Sequence, residues 1–154
     1  MHSRKTLFIT GASSGFGHAL AKEALATGHR VIGTVRNETD LQNFQSLSPD
    51  NAYAVILDVT DFQRIDSVVA QVEATHGPVD VLVNDAGYGH EGIFDESPLE
   101  DMRRQFDVNV FGAVAVKQHA HLAVRQEQVV SLALVRHQES EPVAVAADGA
   151  DDDG

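Results

Sequence analysis

The sequence contains no cysteine, and this absence removes several kinds of chemistry at once. Without thiols the chain has no disulfide framework, no thiolate nucleophile and no thiolate zinc site. Its eight histidines follow no spacing typical of metal ligands, so we predict no metal site. The composition fits a reducing compartment, and we expect the protein in the cytoplasm.

Basic residues are also scarce. The chain has 11 lysines and arginines against 23 aspartates and glutamates, which gives a formal net charge of -12. Such an acidic chain repels phosphate backbones, so nucleic-acid binding is not expected. Four of the acids are aspartates within the last seven residues. We expect residues 139–154 to form a solvated, disordered acidic tail.

Long apolar runs are missing as well. No run is long enough to cross a bilayer, so we expect no membrane association. The first apolar run, Leu7 to Ile9, is too short for the core of a signal peptide, and Gly11 follows it closely. We therefore interpret it as a first strand.

The first two-thirds of the chain alternates short apolar runs with amphipathic stretches. Strands separated by helices of this length predict βαβ units in a parallel α/β sheet that is covered on both faces. The predicted strands are residues 6–10, 30–35, 52–57 and 79–83, with helical patterns at 15–27, 41–47, 62–72 and 99–110. The spacings Thr60 to Gln63 and Ser97 to Glu100 predict capping boxes at the start of the last two helices.

Glycines cluster where the first strand meets the first helix, in the segment TGASSGFG at residues 10–17. Glycine permits a sharp turn and the close approach of a pyrophosphate, while the helix N-terminus supplies free N–H groups. A plain strand–helix turn is the alternative, but three glycines at this place favour nucleotide binding. The residues predicted to contact the cofactor are Gly11, Ser13, Ser14, Gly15, Phe16 and Gly17.

The spacing G-x-x-x-G-x-G resembles the cofactor motif of the short-chain dehydrogenase/reductase family. Three further segments match this family in order: DV at residues 58–59, NDAG at 84–87 and VNV at 108–110. They are similar to its adenine-binding pair, its Asn-Asn-Ala-Gly motif and the segment that holds an asparagine of its catalytic tetrad. The resemblance covers about residues 3–116 and implies a Rossmann-like, doubly wound parallel sheet. By resemblance, Asn109 is the tetrad residue, and the further cofactor-binding residues are Asp58, Val59, Asn84, Ala86 and Gly87.

Asp85 departs from the family's pattern, in which an asparagine is usual. A carboxylate keeps the hydrogen-bond acceptors but loses the amide donors. It also brings negative charge close to the cofactor's own negative groups. We predict that cofactor binding is weaker than with asparagine, so Asp85→Asn should strengthen it.

The end of the second strand indicates NADP in preference to NAD. NAD-binding proteins carry an acidic residue about 20 positions after the glycines, where it holds the ribose hydroxyls. Here the segment is TVRN at residues 34–37, which contains no acid. Arg36 is well placed for a 2′-phosphate, whose geometry suits a guanidinium. A solvated surface arginine is the alternative.

The residues for proton transfer are absent. Enzymes of the family use a tyrosine as general acid and base, with a lysine four positions later that lowers its pKa. Neither Tyr53 nor Tyr88 is followed by lysine at that distance. Ser131 is the one serine at a distance comparable to the family's catalytic serine, but it lies in an apolar run. Asn109 is therefore the single tetrad member that can be placed.

The pattern changes after about Val116. Residues 117–138 show no clear period, although 129–135 is a candidate fifth strand. We divide the chain into an incomplete NAD(P)-binding domain (1–116), an uncertain segment (117–138) and the tail (139–154). A truncation or frameshift would explain this ending. We expect the uncovered sheet edge and the helix from Ser97 to promote self-association.

Three functions follow from these observations. The first is an oxidoreductase that transfers hydride between NADP(H) and a small carbonyl or alcohol, although this chain alone is expected to be inactive. The second is a non-catalytic nucleotide-binding or interaction module. The third is an unstable truncated product.

Overall fold

The structure is a computed structural model that describes residues 4–90, 92–120 and 129–131. Its strands form a five-stranded sheet with parallel pairing throughout, in the order β3-β2-β1-β4-β5. The strands are β1 (Thr6–Thr10), β2 (Arg30–Val35), β3 (Ala52–Ile56), β4 (Val81–Asn84) and β5 (Val129–Ser131). The helices are α1 (Gly15–Ala26), α2 (Glu38–Gln45), α3 (Phe62–His76), α4 (Leu99–Phe106) and α5 (Ala113–Ala120). A π-helical segment, Asp107–Gly112, joins α4 to α5, and a short 3-10 turn lies at Phe94–Glu96.

The predicted parallel α/β sheet is confirmed. The chain leaves β1, builds the sheet outward through β2 and β3, and then returns to place β4 on the other side of β1. The order of the strands therefore reverses between β1 and β4. In doubly wound sheets a ligand cleft lies at such a reversal, beyond the carboxyl ends of the strands.

Each face of the sheet carries its own core, because consecutive strand residues point to opposite sides. Phe8 lies on the face covered by α3 and α5, and Ile9 lies on the face covered by α1 and α2. Both side chains have no exposed surface. This double burial explains why the strands are continuously apolar in sequence.

The two predicted capping boxes are wrong. The α3 helix begins at Phe62 without a side-chain cap, and the Thr60 hydroxyl donates instead to Asp58. The α4 helix begins at Leu99, and the hydroxyl of Ser97 bonds to a backbone carbonyl before the helix. The N-cap residues are Asp61 and Pro98, so each helix begins one residue later than its predicted capping box requires.

The α5 helix continues through the boundary predicted after Val116. Val116 and Ala120 are fully buried, and α5 packs beside α3. The candidate fifth strand is confirmed over Val129–Ser131, which pairs with β4. Residues 121–128, the rest of that candidate strand and the predicted acidic tail lie outside the described residues. The division into segments stays a prediction.

None of the helices in the described ranges has the length and hydropathy that a membrane span requires.

Candidate functional site

A cavity of about 920 Å³ opens where β1 to β4 end. Its size lies within the range of small-molecule sites, about 300–1,000 Å³. The walls come from the segments that follow the four strands and from α4 with the π-helical segment. Of the residues predicted as cofactor contacts, the cavity is lined by Gly11, Ser13, Ser14, Arg36, Asp58, Val59, Ala86 and Gly87. The four motifs therefore meet at one place in the fold.

The other predicted site residues do not line this cavity. Phe16 is 46% exposed, whereas Asn84 is buried. The amide nitrogen of Asn84 donates to the carbonyl oxygen of Ala113 at 3.4 Å. Asn84 thus connects β4 to α5. Gly15, Gly17 and Asn109 also lie outside the lining.

The glycine-rich turn requires glycine where the chain approaches the end of β4. Gly11 has φ of 70°, and a Cβ on it would lie 2.8 Å from the Cα of Ala86. Any side chain here would push the turn away from the segment after β4. The turn and that segment form adjacent walls of the cavity.

Two threonines fix these walls, and the sequence did not single out a role for them. The Thr34 hydroxyl accepts the N–H of Gly11 at 3.1 Å, which ties the turn to β2. The Thr10 hydroxyl accepts the N–H groups of Asp85 and Ala86, each at 3.1 Å, which ties β1 to the segment after β4. Both threonines stand near the ends of buried strands, and this position is the only signal in the sequence.

Asp85 binds the start of α1. Its carboxylate accepts the N–H of Gly17 at 2.8 Å, and the residue is 5% exposed. A Cβ on Gly17 would lie 2.6 Å from the same oxygen, so glycine is needed there as well. Negative charge at a helix N-terminus is favourable. The first-turn amides of Gly15 and Phe16 have no acceptor within the helix.

Asp58 stays ionised at neutral pH. Burial raises the pKa of its carboxyl, but other effects outweigh burial and hold the pKa below its ordinary value. These effects are hydrogen bonds from the Thr60 hydroxyl at 2.7 Å and the Thr60 amide at 2.9 Å, and the charges of Arg36 and Arg104. The cavity therefore presents a carboxylate acceptor with two arginines nearby.

Asn109 holds the loop after β4. Its side-chain amide donates to the Tyr88 carbonyl at 2.7 Å, and its Oδ1 accepts the Tyr88 N–H at 2.9 Å. A Cβ on Gly87 would lie 3.0 Å from that Oδ1. Asn109 lies in the π-helical segment, and such segments are frequent at functional sites. In this chain the Asn109 side chain holds the backbone of Tyr88 in place through two hydrogen bonds.

The cavity fits a dinucleotide. Gly11, Ser13 and Ser14 line it just before α1 begins, and Asp58 offers a carboxylate acceptor. No group of three potential metal ligands occurs in the part of the chain that the structure describes.

The sequence profile of the short chain dehydrogenases matches residues 5–132. The chain belongs to the short-chain dehydrogenase family. This short-chain dehydrogenase is 36% identical over 112 residues to the NADPH-dependent 3-dehydrocapnine reductase of Ornithobacterium rhinotracheale, covering 71% of the chain and 40% of that reductase. The family comprises oxidoreductases that bind NAD(P), so the resemblance inferred from four motifs is confirmed.

Solved structures share the fold. A short-chain dehydrogenase from Streptomyces avermitilis matches with a TM-score of 0.79 and 42% identity, covering 85% of this chain and 49% of the other. A blue fluorescent protein from a metagenomic library, solved in complex with NADPH, matches with a TM-score of 0.74 and 28% identity, covering 82% and 54%. The chain thus spans about half the length, or less, of the proteins it matches.

Proposed function

We propose that the cavity binds NADP(H) and that the chain is the cofactor-binding part of an oxidoreductase acting on a carbonyl or alcohol. The observation that supports this proposal is the meeting of four separate sequence motifs at one cavity. The NADPH named for one relative and for one similar structure agrees with the cofactor.

The cofactor's parts find complementary groups along the cavity. The first-turn amides of Gly15 and Phe16, with the hydroxyls of Ser13 and Ser14, would hold the pyrophosphate. The Asp58 carboxylate would accept a hydrogen bond from the adenine amino group, as the family resemblance implies.

Arg36 decides which dinucleotide is preferred. It follows β2 directly, is exposed and lines the cavity. No ion pair or side-chain hydrogen bond joins it to another described residue. Because it has no ion pair or hydrogen bond within the described chain, the guanidinium can bind a 2′-phosphate, and no carboxylate replaces it there to hold two ribose hydroxyls.

Chemistry is limited by what the chain lacks. When bound, the nicotinamide supplies or takes the hydride, and the protein binds and orients it. Neither Tyr53 nor Tyr88 is followed by a lysine four positions later. The hydroxyl of Tyr53 donates a hydrogen bond to the Asp50 carbonyl at 3.0 Å, and Tyr53 does not line the cavity. We therefore propose that this chain by itself binds NADP(H) without turnover.

Equilibrium titration with NADPH and with NADH tests the proposal. We expect saturable binding of both and about tenfold tighter binding of NADPH, a difference of about 1.4 kcal/mol. Arg36→Asp should reverse the preference. Arg64→Asp is the control, because Arg64 lies outside the cavity and pairs with Asp61. If saturating nucleotide changes neither the spectra nor the melting temperature of the protein, the proposed site is refuted.

A non-catalytic nucleotide-binding module is the second candidate, and the missing Tyr-x-x-x-Lys pair favours it. Turnover with a panel of carbonyl substrates tests whether this chain by itself is an enzyme. Oxidation of NADPH by the purified chain above the rate without protein would contradict the module and the expected lack of turnover. Tight binding without turnover is the result expected of both candidates, because each lacks the Tyr-x-x-x-Lys pair.

We also propose that the chain associates with a second copy of itself through α4. The α4 helix, the π-helical segment and the start of α5 expose Leu99, Phe106, Val110, Phe111 and Val114. Sedimentation over a range of concentrations tests this. Phe106→Asp should abolish association, whereas Phe62→Asp, which alters a similarly exposed phenylalanine on α3, should leave it unchanged. A monomer at all concentrations would contradict the proposal.

A further inference from the structure

Two neighbouring arginines on α4 have different surroundings. Arg103 pairs with Glu100 at 3.5 Å, and both side chains are largely exposed to solvent. Arg104 lines the cavity. Among the described residues, no ion pair or side-chain hydrogen bond involves Arg104. The structure therefore gives a partner to one guanidinium and leaves the adjacent one facing the cofactor site.

The charge of the cavity makes this arginine important. Three carboxylates line it, those of Asp58, Asp101 and Asp107, against the two guanidinium groups of Arg36 and Arg104. NADP(H) adds a diphosphate and a 2′-phosphate monoester, whose second pKa near 6 leaves it close to doubly charged at neutral pH. One arginine against three carboxylates and these phosphates would leave strong like-charge repulsion. Each of the two arginines reduces this repulsion, and removing either one would increase it.

Arg36 and Arg104 both line the cavity, and both charges act on Asp58. They come from different elements, since Arg36 follows β2 and Arg104 lies on α4. Each is close enough to Asp58 to interact with its charge. Asp58 follows β3, beside the end of β2, on the side of the sheet away from β4. This is the side where the family resemblance puts the adenosine.

We propose that Arg104 is a second specificity-determining residue that binds, together with Arg36, the 2′-phosphate distinguishing NADP(H) from NAD(H). The inference rests on the proposed function, because it assigns a partner to one phosphate of the proposed cofactor. A guanidinium forms paired N–H bonds to phosphate oxygens, and a long side chain on an exposed helix surface can reach into the site.

The experiment compares ligands that differ only in the 2′-phosphate. Binding of NADPH, NADH, 2′,5′-ADP and 5′-AMP is measured by calorimetry for the whole chain, for Arg104→Gln and for Arg103→Gln as the neighbouring control. We expect Arg104→Gln to weaken binding of NADPH and 2′,5′-ADP about fivefold and of NADH and 5′-AMP less than twofold. Arg103→Gln should change none of them by more than about twofold. Arg104→Lys, which keeps the charge without the planar fork, should give an intermediate loss for the two 2′-phosphorylated ligands.

The other outcomes reject either the role of Arg104 or the proposed function. Equal weakening of all four ligands by Arg104→Gln would assign Arg104 to the diphosphate or the adenine and reject the inference. No weakening, or equal weakening by Arg103→Gln, would also reject it. The proposed function survives these outcomes as long as the unaltered chain binds NADPH. Absence of saturable binding of both dinucleotides to the unaltered chain would reject the proposed function itself. Thermal melts without ligand check that the variants remain folded.

Discussion

Large apolar side chains are buried in the sheet but exposed along α4 and the π-helical segment. In the sheet, side chains such as Phe8 and Ile32 are fully enclosed. Along α4 and the π-helical segment, Phe106 is 59% and Phe111 55% exposed. Both regions contain large apolar residues, so their presence alone does not decide whether they are buried. Burial depends on whether a second element of the described chain packs against the apolar face, which the sheet has and α4 lacks.

The largest expected effect tests this contrast in burial. Phe8→Ala should lower the free energy of unfolding by about 3–5 kcal/mol, because it leaves a cavity in the core. Phe106→Ala removes the same atoms from α4 and should cost less than about 0.5 kcal/mol in the monomer. Denaturant unfolding at low protein concentration measures both changes. Equal losses would mean that α4 is as well packed as the sheet.

A second prediction concerns the connection between the two regions. Asn109 makes two hydrogen bonds to the backbone of Tyr88, and Asn109→Ala should cost about 1–3 kcal/mol because both Tyr88 groups lose their partner. We also expect weaker NADPH binding, since the loop after β4 lines the cavity. Asn43→Ala alters an exposed asparagine on α2 and serves as the control. Unchanged stability and binding in Asn109→Ala would show that the loop is held by other contacts.

A third prediction concerns the hydrogen bond from the buried N–H of Gly17 to the carboxylate of Asp85. Asp85→Ala should cost about 1–2 kcal/mol, because it leaves the buried N–H of Gly17 without its acceptor. Asp85→Asn keeps an oxygen acceptor and should cost less than about 1 kcal/mol. It also removes a negative charge near the phosphates, so NADPH should bind about threefold more tightly.

Paired unfolding and titration experiments on the two Asp85 variants separate these effects. Weaker NADPH binding by Asp85→Asn would mean that the carboxylate's hold on α1 matters more to the site than its charge.

The smallest expected effect concerns the carboxyl group of Glu73 on α3, which has an oxygen without a hydrogen-bond partner among the described residues. Burial raises the pKa of Glu73 above its ordinary 4.5, and among the described residues its Oε1 has no hydrogen-bond partner. Glu73 is therefore protonated more readily in the folded state than in the unfolded chain. The stability from this group is complete below about pH 4.5 and is lost as the pH rises through the folded pKa.

Glu73→Gln mimics the protonated acid and should stabilise the fold by about 0.5 kcal/mol at pH 7, a figure reduced for its partial exposure. The gain should shrink towards zero below pH 4.5, as thermal melts across this range would reveal. Glu23→Gln on the exposed side of α1 is the control. A gain that does not depend on pH would assign the effect to something other than ionisation.

Much of the sheet could be predicted because its signals are local. Continuous apolar runs gave β1 and β2 with the bounds that the structure has, while β3 and β4 differ from the predicted bounds by one or two residues. The capping boxes at Thr60 and Ser97 failed because each helix begins one residue later, with Asp61 and Pro98 as the N-cap residues, so neither hydroxyl stands at the capping position. The end of α5 was missed because residues 117–120 carry too few apolar positions to show a period.

The sequence by itself determined the order of strands and helices, the place of the glycine-rich turn and the four motifs that mark the family. These depend on backbone conformation and on side-chain periodicity, which short segments encode on their own. Only the tertiary structure decided that Asp85 would accept the N–H of Gly17, that Thr34 would hold the turn, and that Arg104 and not Arg103 would face the cavity. Each of these depends on groups from separate elements lying within a few ångströms, and such proximity arises only when the sheet has assembled.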